Sequence, residues 1–276
     1  MIPYMGSKAK LAPTIIQYIL MHNENITDLY DLFGGGAAIS AEALKYKRIK
    51  THYNEIDPAI CELIKKINSD GVTEEFYQWI DRDTFHKHKN GTDWFAGLVK
   101  TCWSFGNNPQ KGYLYGEDIE APKKEWHNQA MKDGYKLAQK NRLKLKRNHN
   151  ERLDFQHLER LQSLEALQSL KPLPNLQITN LSYEHVPITG KNPVLYLDPP
   201  YQDTEIYQND INHEELYRWV MSSPHKIYIS SYKFFDLKPV LSIKHRSTLS
   251  ATNNAKTVTE NLYCNKPENP ITLTLF

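Results

Sequence analysis

A short apolar strand that ends in an acid and two prolines is the most chemically suggestive stretch of this sequence. The segment VLYLDPPY spans residues 194–201, and its first four residues have the composition of a buried strand. Pro199 cannot donate a backbone hydrogen bond and keeps Asp198 extended, so the strand stops at Asp198. The Asp198 carboxylate and the Pro199 carbonyl are then two rigidly held acceptors for the N–H bonds of a planar amine. After Pro200, the ring of Tyr201 offers a face for stacking a base. A surface turn with a helix-capping aspartate is the plainer alternative.

Glycines follow another predicted strand in the segment DLFGGGAAIS, which begins at Asp31. Because glycine has no Cβ, residues 34–36 would let a ligand approach the backbone. The P-loop pattern is absent, and the third glycine of a dinucleotide fingerprint would fall on Ile39. The next strand ends in NEID, where Glu55 is well placed to accept hydrogen bonds from ribose hydroxyls. The pattern favours a nucleoside ligand without a pyrophosphate, with a plain glycine turn as the alternative.

Strands and helices alternate around these motifs. Helical spacing covers residues 10–21, and further helices are predicted in GGGAAISAEALKY, PAICELIKKI and HEELYRWVMS. Strands are predicted in ITDLYDLF, IKTHYNEID, LQITNLSY, VLYLDPPY and HKIYISSY, with closing strands near IKHRSTLSA and TENLYCN. This order predicts an α/β fold with a doubly wound, mostly parallel sheet and ligands beyond the carboxyl ends of its strands.

The alternation breaks between Trp94 and Leu176. We therefore predict a core formed by residues 1–104 and 176–276, with a mainly helical subdomain inserted at 105–175. Residues 132–152 hold eight Lys or Arg against two acids, a net charge of +6, so the rest of the chain carries −4. Such a run predicts phosphate contacts or a solvated helix face. Leucines at 158, 161, 164, 167 and 170 predict a core-facing helix, with a coiled-coil partner as the alternative.

The composition is that of a globular protein. Of 276 residues, 40% are apolar and 24% are charged, which argues against disorder. The three cysteines are far apart and there is no HExxH, so neither a disulfide framework nor a metal site is expected. The first 20 residues match neither a secretory signal nor a membrane span. A cytoplasmic location is the resulting expectation.

The motifs PYMGSK, DLFGGGAAIS, NEID and DPPY, in that order, resemble the Dam-like, D12 class of DNA adenine-N6 methyltransferases. The resemblance implies a Rossmann-like, S-adenosylmethionine-dependent methyltransferase fold. It also implies that a methyl group moves from S-adenosylmethionine to the N6 amine of adenine in duplex DNA, with the base flipped out. The expected transfer is a direct in-line displacement that leaves S-adenosylhomocysteine, without a covalent enzyme intermediate or a metal.

The resemblance also assigns residues to roles. The catalytic set is Asp198, Pro199, Pro200 and Tyr201. The cofactor-binding set is Tyr4, Lys8, Asp31, Phe33, Gly34, Gly35, Gly36, Ala37, Glu55, Ile56, Ser182, Tyr183 and Asp198. Ala37 stands at the last glycine of the family's FxGxG, and Ser182 stands where many relatives have an acid that contacts the cofactor's adenine. Tyr183 is the alternative neighbour of that ring, and Asp57 is the alternative to Glu55.

The inserted segment occupies the position of the family's target-recognition region. We predict that its basic run contacts phosphates and that two asparagines are available for base edges or strand opening. The predicted DNA-binding residues are Asn107, Asn108, Lys140, Arg142, Lys144, Lys146 and Arg147.

The sequence leaves several alternatives open for the activity of the protein and for its partners. The acceptor could be cytosine N4 or an RNA adenine, although Asp before Pro-Pro leans toward adenine by resemblance. The protein could be a non-catalytic DNA-binding relative, but binding alone does not require Asp198 and the glycine loop. A nicotinamide-dependent oxidoreductase is disfavoured by the broken dinucleotide fingerprint. A monomer in solution is expected, and a cognate restriction endonuclease is a further potential partner.

Overall fold

The structure, a computed structural model, describes residue 2 and residues 7–132, 157, 160–161, 175–200, 211–246 and 257–274. It divides into two compact units. The first comprises Met1–Ser7 and Asp57–Pro172, and the second comprises Lys8–Ile56 and Leu173–Phe276. Residues 105–172 of the predicted insertion at 105–175 belong to the first unit, and the role of the insertion in recognition stays a prediction. Among the residues that the structure describes, no helix is long and apolar enough to cross a membrane.

In the described part of the chain, the second unit is built on an eight-stranded sheet. The strands are β1 (Asp28–Asp31), β2 (Lys50–Asn54), β3 (Leu176–Thr179), β4 (Pro193–Leu197), β5 (Lys226–Ser231), β6 (Leu241–Arg246), β7 (Thr257–Cys264) and β8 (Ile271–Thr274). They lie in the order β3-β2-β1-β4-β5-β7-β6-β8. The first five run parallel, and β7 runs antiparallel to β5 and β6. The predicted α/β class with a mostly parallel sheet is confirmed.

Both faces of the central strands are buried, as expected for parallel strands covered by helices. All four residues of β1 are buried, and so are residues 194–197 of β4. Tyr30, Leu195 and Ile229, on three adjacent strands, are fully buried and belong to one core cluster. The strand order reverses between β1 and β4, which is where open α/β sheets bind their ligands.

Side-chain caps fix where several helices begin. The helices are α1 (Ala12–Met21), α2 (Ala38–Ala43), α3 (Pro58–Ser69), α4 (Arg82–His88), α5 (Trp94–Cys102), α6 (Glu117–Lys132) and α7 (His213–Ser222). Carboxylates of Asp57, Asp81 and Asp93 accept backbone N–H bonds at the starts of α3, α4 and α5. The amide oxygen of Asn212 does the same for α7. Short 3-10 helices are formed by Glu74–Tyr77, Phe105–Asn107, Pro109–Lys111 and Tyr183–His185.

The first unit is held by helix packing and a buried aromatic cluster. Helix α3 packs on α5 at Gly97, where a Cβ would lie 2.2 Å from the Ala59 carbonyl oxygen. Trp103 stacks on His157 with ring centroids 4.6 Å apart. Of the predicted leucine stripe only Leu161 lies in the described part of the chain, where it is buried. The other four leucines and nearly all of the basic run lie outside it.

Candidate functional site

Three strand ends bring the predicted acids to one edge of the sheet. In the parallel register, Asp31 of β1 pairs with Tyr53 of β2 and with Tyr196 of β4. Glu55 directly follows β2 and Asp198 directly follows β4. Because β1, β2 and β4 are parallel, both acids lie at the same edge of the sheet as the carboxyl end of β1. All of these residues belong to the second unit.

The glycine turn after β1 approaches β2 closely. The Gly34 amide donates to the Asn54 carbonyl at 2.7 Å, and a Cβ on Gly34 would lie 2.2 Å from a ring carbon of Tyr53. The turn thus requires glycine at 34. Ala37 has φ of 58°, a left-handed conformation that glycine adopts at lower cost. Ala37 therefore holds a backbone conformation that favours glycine, at the position where the FxGxG motif has its last glycine.

Glu55 is tied to that turn. Its side chain is buried, and its Oε2 accepts the Gly35 amide at 2.8 Å. The Tyr53 hydroxyl donates to the Gly35 carbonyl at 2.8 Å, so both backbone polar groups of Gly35 are held. A carboxylate can accept more than one donor, so this contact leaves Glu55 capable of binding hydroxyl groups.

Asn54 links three segments of the site. Its Nδ2 donates to the carbonyls of Leu32 (3.1 Å) and Leu181 (2.9 Å), while its Oδ1 accepts from Leu181 N–H (3.1 Å) and the Thr179 hydroxyl (2.9 Å). The residue is 2% exposed. Buried amides contribute most when every donor and acceptor is satisfied. Asn54 therefore holds the segments that follow β1 and β3 onto the end of β2.

Asp31 is a buried acid with an unusual titration. Its Oδ2 accepts from both the hydroxyl (2.7 Å) and the amide (3.2 Å) of Ser40 in α2. The pKa of this carboxyl is raised to about 7, because burial and the negative charges of Asp198 and Glu55 raise it more than the Ser40 hydrogen bonds lower it. Three carboxylates therefore influence one another electrostatically at this edge, which suits a ligand that carries positive charge.

Asp198 is paired with Lys8. The Lys8 ammonium lies 2.9 Å from Asp198 Oδ1 and 3.7 Å from Glu260 Oε1 of β7. The side chains of Lys8 and Glu260 are 7% and 6% exposed, and that of Asp198 is 20% exposed. Burial raises the pKa of the Tyr232 hydroxyl, Glu260 and Asp198 raise it further, and Lys8 lowers it, so this tyrosine experiences the charges of the same group. Lys8 and Asp198, predicted separately from the sequence, are in contact.

Apolar and aromatic groups flank the carboxylates. The rings of Phe33 and Tyr183 stack with centroids 5.4 Å apart, and Tyr183 meets Trp219 edge to face at 5.1 Å. Ile56 and Leu181 are 49% and 39% exposed, which is unusual for large apolar side chains. The Ser182 carbonyl accepts the His185 amide at 2.9 Å, where the 3-10 helix Tyr183–His185 begins.

Asp57, the alternative to Glu55, is engaged within the first unit. Its carboxylate caps α3 by accepting the Ala59 amide at 2.9 Å, and it pairs with the Lys100 ammonium at 2.9 Å. These contacts give Asp57 a structural role at the start of the helix.

The two predicted DNA-binding asparagines also lie in the first unit. Asn108 is buried, and its Oδ1 accepts the Gln110 amide at 2.9 Å. Asn107 has φ of 57°, and its Oδ1 is buried without a hydrogen-bond partner in the part of the chain that is described. The other predicted residues lie outside that part, namely Tyr4, Lys140, Arg142, Lys144, Lys146, Arg147 and Tyr201.

Sequence reasoning missed four residues at this edge of the second unit, namely Asn54, Leu181, Tyr232 and Glu260. Asn54 and Leu181 adjoin predicted residues in NEID and NLSY, and an asparagine before the acid was a usable signal. Glu260 had no local signal. Among the residues the structure describes, no group of three or more His, Cys, Asp or Glu is arranged to hold a metal ion.

The family model for the D12 class N6 adenine-specific DNA methyltransferases matches residues 4–225, about four fifths of the chain. That range includes DLFGGGAAIS, NEID and DPPY in full and all of PYMGSK except Pro3. A search of curated proteins finds no match.

Proposed function

Because the chain belongs to the D12 class of N6 adenine-specific DNA methyltransferases, an S-adenosylmethionine-dependent family, we propose that Asp198 and the Pro199 carbonyl bind the N6 amine of the target adenine. The observation that carries this proposal is the position of Asp198 after β4, at the edge where β1 and β2 present Asp31 and Glu55. A flipped base could reach this edge, and Tyr201 would stack on it.

The residues at the ends of β1 and β2 fit the cofactor. Asp31, the turn 34–37 and Glu55 supply carboxylates and a closely packed backbone, which suit a cationic amino acid and ribose hydroxyls and lack the pattern that binds phosphates. Phe33, Ile56 and Tyr183 supply apolar surface for an adenine ring. Ser182 would contact that ring in place of the acid found in relatives, and Tyr4 and Lys8 would complete the methionine end.

The chain's own contribution to the reaction is positioning and electrostatics. Bound S-adenosylmethionine supplies an electrophilic methyl group on a positively charged sulfur for an in-line displacement. Asp198 accepts an N–H of the amine and so directs the nitrogen lone pair. Positive charge develops on N6 as the bond to carbon forms, so the Asp198 carboxylate stabilises the transition state more than the bound substrate.

DNA recognition would come from the region predicted to be inserted at 105–175. The basic run would bind phosphates, while Asn107 and Asn108 would read or open the target site. The charge of +6 over residues 132–152 supports this assignment, since the rest of the chain is acidic. A monomer in solution, a cytoplasmic location and a partner endonuclease stay predictions.

The proposed cofactor site can be tested with neighbouring acids. Glu55→Gln removes the carboxylate proposed to bind the ribose and should raise the Kd for S-adenosylmethionine at least about tenfold, because a buried acceptor for two hydroxyls is weakened. Asp57→Asn is the matched control, since it keeps the cap of α3 and should leave the Kd within about twofold. Isothermal titration of the DNA-free protein gives both values. Equal weakening by the two variants, or none by Glu55→Gln, would remove Glu55 from the site.

A further inference from the structure

A second buried glutamate stands close to the proposed catalytic group. Glu260 is 5% exposed and lies four residues into β7, the strand that runs antiparallel to β5. The register pairs Ser231 with Asn261, so Glu260 lies at the end of β5 where the chain leaves the sheet. The first half of β7 therefore lies at the edge of the sheet where the parallel strands, including β5, end.

Glu260 and Asp198 share one cation. The Lys8 ammonium is 2.9 Å from Asp198 Oδ1 and 3.7 Å from Glu260 Oε1. A buried carboxylate is costly unless a cation or several donors balance it, and a lysine ammonium has three N–H donors. The shifts in the Tyr232 pKa indicate that Glu260, Lys8 and Asp198 all act on the same phenol. Three charged side chains from distant parts of the sequence therefore form one group.

We propose that Glu260 is a positioning residue for methyl transfer, which holds the Lys8 ammonium and balances its charge so that the Asp198 carboxylate remains available to the target amine. The proposal rests on the proposed role of Asp198. Without Glu260, the Lys8 charge is balanced by Asp198 to a greater extent, and less negative charge faces the nitrogen on which positive charge develops. The effect therefore belongs to the chemical step and is transmitted through Lys8.

The test is a double-mutant cycle in single-turnover methylation of duplex DNA, with enzyme and cofactor saturating so that the chemical step is observed. Glu260→Gln should slow this step about tenfold in the wild-type background but less than about twofold in a Lys8→Met background. Glu260→Asp keeps the charge on a shorter side chain and should recover part of the rate. The matched control is Glu268→Gln, because Glu268 is also buried and pairs with Lys226 on the same sheet. That variant should lower stability and leave the rate unchanged.

A second readout needs neither cofactor nor DNA. Lys8→Met should lower the midpoint of thermal unfolding, because it leaves Glu260 buried without this cation. Adding Glu260→Gln to that variant should raise the midpoint again.

The two measurements together decide the proposal. A wild-type rate in Glu260→Gln, an equal loss in both backgrounds, or additive effects on unfolding would each overturn it. Asp198→Asn belongs in the same set of variants, because full activity in that protein would contradict the proposed role of Asp198 rather than that of Glu260.

Discussion

At the residue scale, the proposed site combines several acids whose surroundings give them different tasks. Asp198 is more exposed than Asp31, Glu55 and Glu260 and is paired with Lys8, as an acid that meets a substrate amine would be. Glu55 accepts a hydrogen bond from the amide of Gly35 in the glycine turn. Asp31 is buried and accepts a hydrogen bond from the Ser40 hydroxyl. Asp57 is an acid of the same motif whose contacts are structural. The different contacts of these acids, more than their residue type, distinguish their proposed roles.

The raised pKa of Asp31 predicts a specific dependence of stability on pH. The native state holds the proton up to about pH 7, whereas the unfolded chain releases it near its ordinary value of 3.8. Between these values the folded protein binds more protons, so this group makes the free energy of unfolding fall as pH rises, and the loss is complete above about pH 7. Asp31→Asn should abolish this component, which denaturant unfolding at pH 5 and pH 8 can measure.

A substitution of Ser40 should change the pH dependence of stability in the direction opposite to Asp31→Asn. Its hydrogen bonds lower the pKa of Asp31, so Ser40→Ala should steepen the decline in stability between pH 5 and pH 8. A wild-type decline that Asp31→Asn leaves unchanged would mean that Asp31 titrates normally in the folded protein.

At the element scale, the site depends on where strands end. The sequence predicted the parallel strands β1 to β5 well, because apolar runs bounded by glycine or proline are local signals. It predicted Asp31, Glu55 and Asp198 for the same reason, since each directly follows or ends such a run. It did not predict Glu260 or β8. Glu260 reaches the edge only because β7 is antiparallel, which is a tertiary property, and β8 is a short strand with exposed residues.

Asn54 connects the segments that follow β1 and β3 to the end of β2, and its substitution should lower stability strongly. Asn54→Leu fills a similar volume but leaves the carbonyls of Leu32 and Leu181 and the Leu181 amide without their partner. Each unsatisfied buried group costs about 1–3 kcal/mol, so we expect a loss of about 3 kcal/mol in the free energy of unfolding. Urea titration followed by circular dichroism would measure it.

Asn192→Leu is the comparison for that experiment. Asn192 is exposed and its side chain makes one hydrogen bond, to the Asn25 carbonyl, so the loss should be below about 0.5 kcal/mol. Equal losses in the two variants would show that the links made by Asn54 do not hold the site together.

At the scale of the whole molecule, the family assignment settles the reaction and leaves recognition as a prediction. Methyl transfer to adenine N6 in DNA was predicted and is confirmed, so cytosine N4, RNA adenine and a non-catalytic relative are set aside. We propose that side chains of the predicted insertion read the target sequence. No local pattern there encodes base readout, because recognition depends on which side chains reach the grooves.

The basic run predicts how DNA binding responds to salt. Replacing Lys144, Lys146 and Arg147 by Gln should reduce the slope of log K against log salt concentration by up to about 2.7, since each phosphate contact contributes about 0.9. Fluorescence anisotropy with a labelled duplex at several salt concentrations would measure the slope.

A control variant with the same change in net charge separates the effect of where these residues lie from the effect of total charge. Exposed lysines at 45, 65 and 238 can be replaced together by Gln, which should leave the slope nearly unchanged. Equal slopes for the two triple variants would place the phosphate contacts elsewhere on the protein.

Asp198 is proposed to bind the amine that becomes methylated. The most direct measurement incubates wild-type protein and Asp198→Asn with radiolabelled S-adenosylmethionine and mixed-sequence duplex DNA, followed by digestion to nucleosides. The wild type should place label on N6-methyldeoxyadenosine, while Asp198→Asn should lose at least about 100-fold in rate and bind the cofactor within a few-fold of wild type. Undiminished labelling by Asp198→Asn would contradict the account, as would label on any other nucleoside.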